Sequence, residues 1–217
     1  MPDSTLPDAA LPEVKQRAVR PRHAASLIVV RDTRKGPEML MGMRGSRHRF
    51  MPNVLVFPGG RVDRADHRAH FATALRDDTR ALLERSAPPR LAQSLALAAA
   101  RELEEETGLH LAGAPGGLPE LDGLHYLCRA VTPPSQHMRF NARFLVVEAE
   151  RVSGTLAGSG ELEALRYHAM DDVFGQTLAG ITREVLHNLQ RFLAMSADER
   201  AVRATVPINQ RDIWRME

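Results

Sequence analysis

A crowded acidic segment near the middle of the chain constrains its fold more than any other feature. The run RELEEETGL starts at Arg101 and follows an alanine-rich stretch that predicts a helix. Relative to Glu102, Glu105 and Glu106 lie at about −60° and +40° around such a helix, because each residue advances about 100°. Glu104 falls nearly opposite. Carboxylates crowded on one face destabilise a helix unless a cation neutralises them, and oxygen-only clusters suit Mg²⁺ or Mn²⁺.

Taken alone, an acidic run of this kind is more often a solvated helix end than a metal site. The segment FPGGRVD at residues 57–63 changes that assessment. Together the two segments resemble the Nudix box, whose pattern is Gly, five residues, Glu, seven residues, then Arg-Glu-apolar-x-Glu-Glu-x-Gly-apolar. The second half matches at every position from Arg101 to Leu109. In the first half Gly60 matches, and Asp66 stands where the family has its first glutamate.

The spacing inside this motif departs from the family pattern. Asp66 and Arg101 are 35 positions apart, so about 27 residues, approximately 67–93, are inserted between the two halves. Apolar spacing predicts a helix over residues 67–85, and a proline pair ends it before a second helix over residues 90–107. The two halves of the motif must therefore meet again in space.

The remaining pattern predicts an α/β protein. Residues 1–217 are interpreted as a single domain with a loose N-terminal arm at residues 1–20 and the helical insertion at 67–93. Strands are predicted at residues 23–30, 39–43, 54–57, 124–131, 143–147 and 165–169, and C-terminal helices at 182–194 and 197–203. A turn is expected at residues 58–60, where the glycines allow unusual φ and a close backbone approach, and a flexible Gly/Ser segment is expected at 153–160. Intermixed strands and helices favour an α/β/α sandwich around a mixed sheet, the fold that the Nudix resemblance also implies.

Composition narrows the class of protein further. With 43% hydrophobic residues the chain can bury a sizeable core, and it has no apolar run of the roughly 18 residues that a membrane span needs. The single cysteine, Cys128, fits a reducing compartment, and the first residues do not resemble a secretory leader. A cytoplasmic location without a membrane partner is therefore predicted. Trp214 is interpreted as a packing anchor or a dimer contact, which leaves a homodimer open.

Positive charge is concentrated in the first third of the chain. Residues 15–64 contain 12 Lys or Arg against three acidic residues. A nucleic-acid patch is one interpretation, but few aromatic residues are interleaved with these bases, and a rim for a small polyanionic substrate is preferred. The expected phosphate contacts are the guanidinium groups of Arg44, Arg47, Arg49 and Arg61 and the backbone N–H at Gly59.

The Nudix resemblance implies a role for each motif residue. It implies that Glu102, Glu105 and Glu106 hold Mg²⁺ or Mn²⁺, with the backbone at Gly60 completing the metal or phosphate shell. Arg101 would orient a glutamate, so the expected catalytic residues are Arg101, Glu102 and Glu105. Asp66 and Gly108 have structural roles, the shorter Asp66 in place of a glutamate and Gly108 as the C-terminal cap of the helix. The glutamates of the box and Glu161 are the candidate general bases, although a solvated loop residue is the simpler interpretation of Glu161.

The implied activity is that of a hydrolase that cleaves a diphosphate, or phosphoanhydride, linkage in a small molecule. The interrupted box and the segments 51–63, 131–133 and 139–144 resemble the subgroup of peroxisomal coenzyme A diphosphatases. That resemblance implies cleavage of CoA or acyl-CoA. Nucleoside diphosphate derivatives such as ADP-ribose or NADH are the alternative substrates, and a non-catalytic Nudix ligand-sensing module is the alternative outside enzymes.

Overall fold

The computed structural model describes residues 19–45, 53–111, 116–202, 208–209 and 215–216. Most of the predicted N-terminal arm lies outside these residues. So do Arg47, Arg49 and Trp214.

Strands and helices are intermixed along the described residues. The strands are β1 (Arg22–Thr33), β2 (Gly36–Arg44), β3 (Leu55–Val56), β4 (Gly59–Arg61), β5 (Leu109–His110), β6 (His125–Val131), β7 (Phe140–Glu148), β8 (Ser153–Gly154), β9 (Leu162–Ala169), β10 (Ile208–Asn209) and β11 (Arg215–Met216). The helices are α1 (Asp77–Glu84), α2 (Pro89–Thr107), α3 (Met170–Val173), α4 (Gly180–Leu193) and α5 (Ala197–Val202).

The main sheet is mixed. Its strand order is β10-β11-β6-β7-β1-β2-β3, with β4 added to β1 and β9 added to β2. The central strands β1 and β7 are parallel, whereas β1 pairs antiparallel with β2 and β4. Strands β5 and β8 form a separate two-stranded pair. None of the described helices combines the length and apolar character that crossing a membrane requires.

Both faces of the sheet are covered, which explains the continuous apolar run in β1. Leu27 and Val29 belong to a core cluster with residues of α2, whereas Ile28 and Val30 belong to a second cluster with residues of α4. Successive side chains of a strand point to opposite faces, so the two clusters lie on opposite sides of the sheet. The predicted α/β/α sandwich around a mixed sheet is confirmed.

Helix α2 carries the acidic segment, and its two ends follow simple rules. Pro89 occupies the first turn, where a missing N–H costs nothing. Gly108 ends the helix with a φ of 72°, and its N–H donates to the Glu104 carbonyl. This left-handed conformation favours glycine, because other residues meet steric strain there.

The helix predicted over residues 67–85 is shorter than expected, since α1 covers only Asp77–Glu84. The preceding segment pairs its backbone with a distant loop, and the Ala72 N–H donates to the Pro119 carbonyl at 2.9 Å. Phe71, part of the apolar spacing that indicated a helix, is exposed. The prediction was wrong here because a long-range pairing uses backbone groups that a helix would need.

The turn predicted at residues 58–60 is shorter in the structure, because the chain reverses between β3 and β4 and the two glycines already belong to β4. Gly59 and Gly60 lie in β4, opposite Ser26 and Ala25 of β1. A Cβ added at Gly59 would collide with the Ser26 hydroxyl and the Ala25 carbonyl. Gly59 therefore provides the close backbone approach that the sequence indicated, in the strand that follows the reversal of the chain.

Candidate active site

The two halves of the interrupted motif meet through a bidentate ion pair. The Arg101 Nε donates to Asp66 Oδ1 at 3.0 Å, and Nη2 donates to Oδ2 at 3.1 Å. Asp66 is only 3% exposed, and its Oδ2 also accepts the Asp63 N–H at 2.7 Å. Such charge-assisted pairs are strong and geometrically specific. The two halves of the motif are therefore in contact in the structure, although the insertion separates them in the sequence.

The same guanidinium group also positions two carboxylates and a strand. Arg101 Nη1 donates to Glu102 Oε1 at 2.8 Å and to Glu105 Oε2 at 2.9 Å, and Nη2 donates to the Arg61 carbonyl at 2.9 Å. Burial alone would lower the pKa of Arg101, but its contacts with Asp66 and Glu102 outweigh burial and raise that pKa. Arg101 is therefore a permanent cation that holds α2 against β4.

The three carboxylates predicted to share a helix face line one cavity of about 580 Å³. The side chain of Glu102 is 13% exposed and that of Glu105 is 58% exposed, whereas Glu106 is buried. Glu104 is exposed to solvent and forms no part of the described cavity wall. The geometry of the helix thus places three carboxylates in the cavity and directs Glu104 to solvent.

Burial changes the proton affinity of this cluster. Burial raises the pKa of Glu106 to about 7, with the charges of Glu102 and Glu161 acting in the same direction. The Gly59 N–H and the Arg44 charge oppose the shift. The pKa of Glu102 is also raised, mainly by burial, although its contact with Arg101 lowers it. A cation placed among these oxygens would favour their charged forms.

The glycines of β4 face these carboxylates. The Gly59 N–H, predicted as a phosphate donor, donates to Glu106 Oε2 at 2.8 Å. Gly59 also lines the cavity, so its contact with a phosphate group stays a prediction. A Cβ added at Gly60 would overlap the Glu102 carboxylate, so a larger residue there would have to displace this carboxylate from its contact with Arg101.

Glu161 is brought to the cavity by the segment that was predicted to be flexible. Residues 153–160 begin with β8 and then fasten to the end of α2, where the Ala157 N–H donates to the Thr107 carbonyl at 2.8 Å. The Ser159 N–H lies 3.4 Å from the Glu106 carbonyl. These backbone contacts join the segment to the end of α2, and the exposed Glu161 that follows it lines the cavity.

Two of the four predicted phosphate-binding arginines are described, and both line the cavity. Arg44 ends β2 and Arg61 ends β4. The guanidinium groups therefore come from two different strands that border the carboxylates. Their placement satisfies the first requirement for contacts with an anionic substrate, which is proximity to the acidic cluster.

An apolar wall of this cavity was not singled out from the sequence. Phe140 and Phe144 of β7, together with Phe57 and the α4 residue Ile181, line the side of the cavity that belongs to the α4 face of the sheet. The alternation of Phe140 and Phe144 on one face of a strand was the available signal. This alternation could not be distinguished from an ordinary core pattern, because other residues on the same face of β7 pack against α4.

The oxygen atoms present fit a hard divalent cation. Within the described part of the chain, no three Asp, Glu, His or Cys side chains already converge as a complete ligand set. Each of Glu102, Glu105 and Glu106 nevertheless uses one oxygen in its described hydrogen bonds and leaves the other for a ligand. Carboxylate oxygens are the ligands that Mg²⁺ and Mn²⁺ prefer.

Stability of the metal-free protein should depend on pH through Glu106. Its pKa is about 7 in the folded state against 4.5 when unperturbed, so the folded protein binds more protons between these values. The free energy of unfolding therefore falls as pH rises through this window, by about 3 kcal/mol for this group. Urea denaturation in chelator at pH 5 and pH 8 should show this loss in the wild type relative to Glu106→Gln. Identical pH dependence in both proteins would contradict the assignment.

Comparison with known proteins places the chain in a family. A family model described as NUDIX domain matches residues 21–189. A curated Caenorhabditis elegans protein named as a nudix hydrolase is 35% identical over 88 residues, which cover 41% of this chain but only 22% of that protein.

Solved structures share the architecture. A NUDIX hydrolase from Alicyclobacillus acidocaldarius is 26% identical with a TM-score of 0.59, over 79% of this chain and 91% of that chain. A MutT NUDIX hydrolase from Burkholderia pseudomallei is 23% identical with a TM-score of 0.51, over 79% and 99% of the two chains, and shows the fold alone. Because the family match spans most of the chain and both halves of the interrupted motif, the chain belongs to the Nudix hydrolase family.

Proposed function

We propose that this protein hydrolyses a diphosphate linkage in CoA or acyl-CoA with the help of a divalent metal ion. The observation that carries the proposal is the composition of one cavity. Carboxylates from α2, guanidinium groups from β2 and β4, and an apolar wall from β7 and α4 all border the same space. Such a cavity can receive a molecule that is anionic at one point and apolar beyond it.

The acidic side supplies what phosphoanhydride cleavage requires. Bound Mg²⁺ or Mn²⁺, held by Glu102, Glu105, Glu106 and backbone at Gly60, would neutralise phosphate charge and lower the pKa of a bound water. Arg101 holds the carboxylates of Glu102 and Glu105 in position through its hydrogen bonds to them. Arg101 thus acts through the carboxylates rather than on the substrate.

The remaining polar groups of the cavity are proposed to contact the substrate phosphates and to accept a proton from the attacking water. Arg44 and Arg61 would contact phosphate oxygens, since guanidinium groups donate several hydrogen bonds in a fixed geometry. Glu161 is the proposed acceptor for the proton of the attacking water, because it lines the cavity but comes from a different segment than the α2 carboxylates. The carboxylates of the box are the alternative acceptors.

The apolar wall bears on the choice of substrate. Phe140, Phe144 and Ile181 offer a surface for an adenine ring or for the acyl and pantetheine portion of CoA. An adenine ring is also present in ADP-ribose and NADH, which makes these the second candidate substrates. A ligand-sensing module is less favoured, because all three box carboxylates are present and line the cavity.

A substrate panel tests the proposal directly. Purified protein with Mg²⁺ would be incubated with CoA, an acyl-CoA, ADP-ribose, NADH and dinucleoside polyphosphates, and the products identified by mass. We expect CoA and acyl-CoA to give adenosine 3′,5′-bisphosphate and a phosphopantetheine fragment. Matched reactions in chelator are the control. Cleavage of ADP-ribose without cleavage of CoA would contradict the substrate assignment. No turnover with any compound would contradict the proposed enzymatic activity.

A further inference from the structure

A second cavity, of about 360 Å³, borders the candidate active site on the other side of β4. We call it the basic cleft. Its ionisable lining consists of Arg20, Arg22, His23, Arg61, Asp63 and His67. Arg61 and Asp63 line both this cleft and the candidate active site, so the two cavities share a wall.

Sheet pairing holds the cations of the cleft together. Arg61 lies opposite Ala24 in the β1–β4 pair, and the Val62 N–H donates to the His23 carbonyl at 3.0 Å. Within the described residues, none of the three guanidinium groups that line the cleft forms an ion pair with a carboxylate. The lining carries three arginines against the one carboxylate of Asp63, and this excess of positive charge suits an anion.

Buried neighbours orient the two histidines. Arg143 is fully buried, and its Nη1 lies 3.1 Å from His23 Nδ1. A guanidinium group only donates, so His23 Nδ1 accepts and the ring hydrogen resides on Nε2. Burial, reinforced by the charge of Arg143, lowers the pKa of His23, in agreement with this neutral ring. His23 thus has one N–H donor left for a ligand.

The ring of His67 is held by Ser94. The Ser94 hydroxyl lies 2.7 Å from His67 Nδ1 and donates its only hydrogen to the Arg90 carbonyl at 2.8 Å. His67 Nδ1 must therefore be the donor in the contact with Ser94. This contact fixes the ring at the rim of the cleft, so both histidines are placed before any ligand arrives.

We propose that the basic cleft binds a phosphomonoester that the substrate carries in addition to its scissile diphosphate. Arg61 would then stand between the two anionic groups, with Arg20, Arg22 and His23 as the further donors. The inference rests on the proposed function, and it names a feature that selects among diphosphate substrates. CoA carries a separate phosphomonoester, whereas ADP-ribose and NADH do not.

Binding of two matched nucleotides tests the cleft without turnover. Calorimetric titration should show that adenosine 3′,5′-bisphosphate binds at least about tenfold more tightly than adenosine 5′-monophosphate, as expected for one or more added charge-assisted contacts. The double variant Arg20→Gln, Arg22→Gln should reduce this ratio to within about threefold, with the affinity for the monophosphate unchanged. The double variant Arg34→Gln, Lys35→Gln removes the same charge from an exposed turn and should keep the wild-type ratio.

Kinetics with CoA and dephospho-CoA extend the test to catalysis. We expect kcat/KM to favour CoA by about tenfold in the wild type and to lose this preference in the Arg20→Gln, Arg22→Gln protein. Equal binding of the two nucleotides by the wild type would overturn the proposed role of the basic cleft, even if the protein hydrolyses diphosphates. Tighter binding of the bisphosphate by a protein that hydrolyses nothing would support the cleft and contradict only the proposed function. A ratio that both double variants reduce equally would show a general charge effect and overturn the site.

Discussion

Replacing Glu105 with glutamine should lower kcat by about 10²–10⁴-fold and leave the fold intact. Glutamine keeps the size of the side chain but removes the charge that a divalent cation needs. Because the Glu105 side chain is 58% exposed, the free energy of unfolding should change by less than about 1 kcal/mol. The measurement is steady-state kinetics on the best substrate of the panel, with Mn²⁺ affinity determined by calorimetry.

The neighbouring Glu104 provides a matched control on the same helix. Glu104→Gln removes the same charge one position away, from a side chain that is exposed and outside the cavity wall. We expect its kcat and its Mn²⁺ affinity to stay within about twofold of the wild type. Equal loss of activity in both variants, or wild-type Mn²⁺ affinity in Glu105→Gln, would show that the helix face does not select the metal ligands.

Replacing Arg101 with lysine should destabilise the protein by about 2–4 kcal/mol and reduce its activity as well. Lysine keeps the positive charge but cannot form the paired hydrogen bonds to Asp66 and still reach the Arg61 carbonyl. Asp66 is nearly fully buried and would lose its bidentate partner. The partial exposure of Arg101, 23% of the side chain, is the reason for expecting less than the cost of a fully buried pair.

Urea denaturation of Arg101→Lys and of Arg80→Lys would isolate this effect. Arg80 pairs with Asp77 on the exposed surface of α1, so the same exchange there should cost less than about 0.5 kcal/mol. If Arg101→Lys is as stable as the wild type, the ion pair does not hold the two halves of the motif together. Loss of activity without loss of stability would indicate that Arg101 acts only on the carboxylates.

The family, the hydrolase class and the layered fold were predicted from the sequence and are confirmed. These predictions rest on patterns of short range. The acidic run needed only the rise and rotation of a helix to predict three carboxylates on one side and Glu104 on the other. The CoA substrate and the metal stay predictions that the experiments above address, and the cytoplasmic location also stays a prediction.

The helix expected over residues 67–85 is shorter than predicted for a physical reason. A backbone pairing with a loop about 47 positions later, between Ala72 and Pro119, uses groups that the helix would need. This long-range hydrogen bond overrides the local preference of the segment. Contacts of the same kind join residues 153–160 to the end of α2 and the Gly59 N–H to Glu106, and local sequence patterns could not predict either of them.

The sequence by itself determined which carboxylates of the acidic helix share one face, because the rotation per residue of a helix is fixed. Only the tertiary structure decided what surrounds that helix. It joins Asp66 to Arg101 across the insertion, brings Glu161 to the cavity, and aligns Arg61 between that cavity and the basic cleft. These residues are far apart along the chain, and their meeting depends on strand pairing and core packing rather than on local spacing.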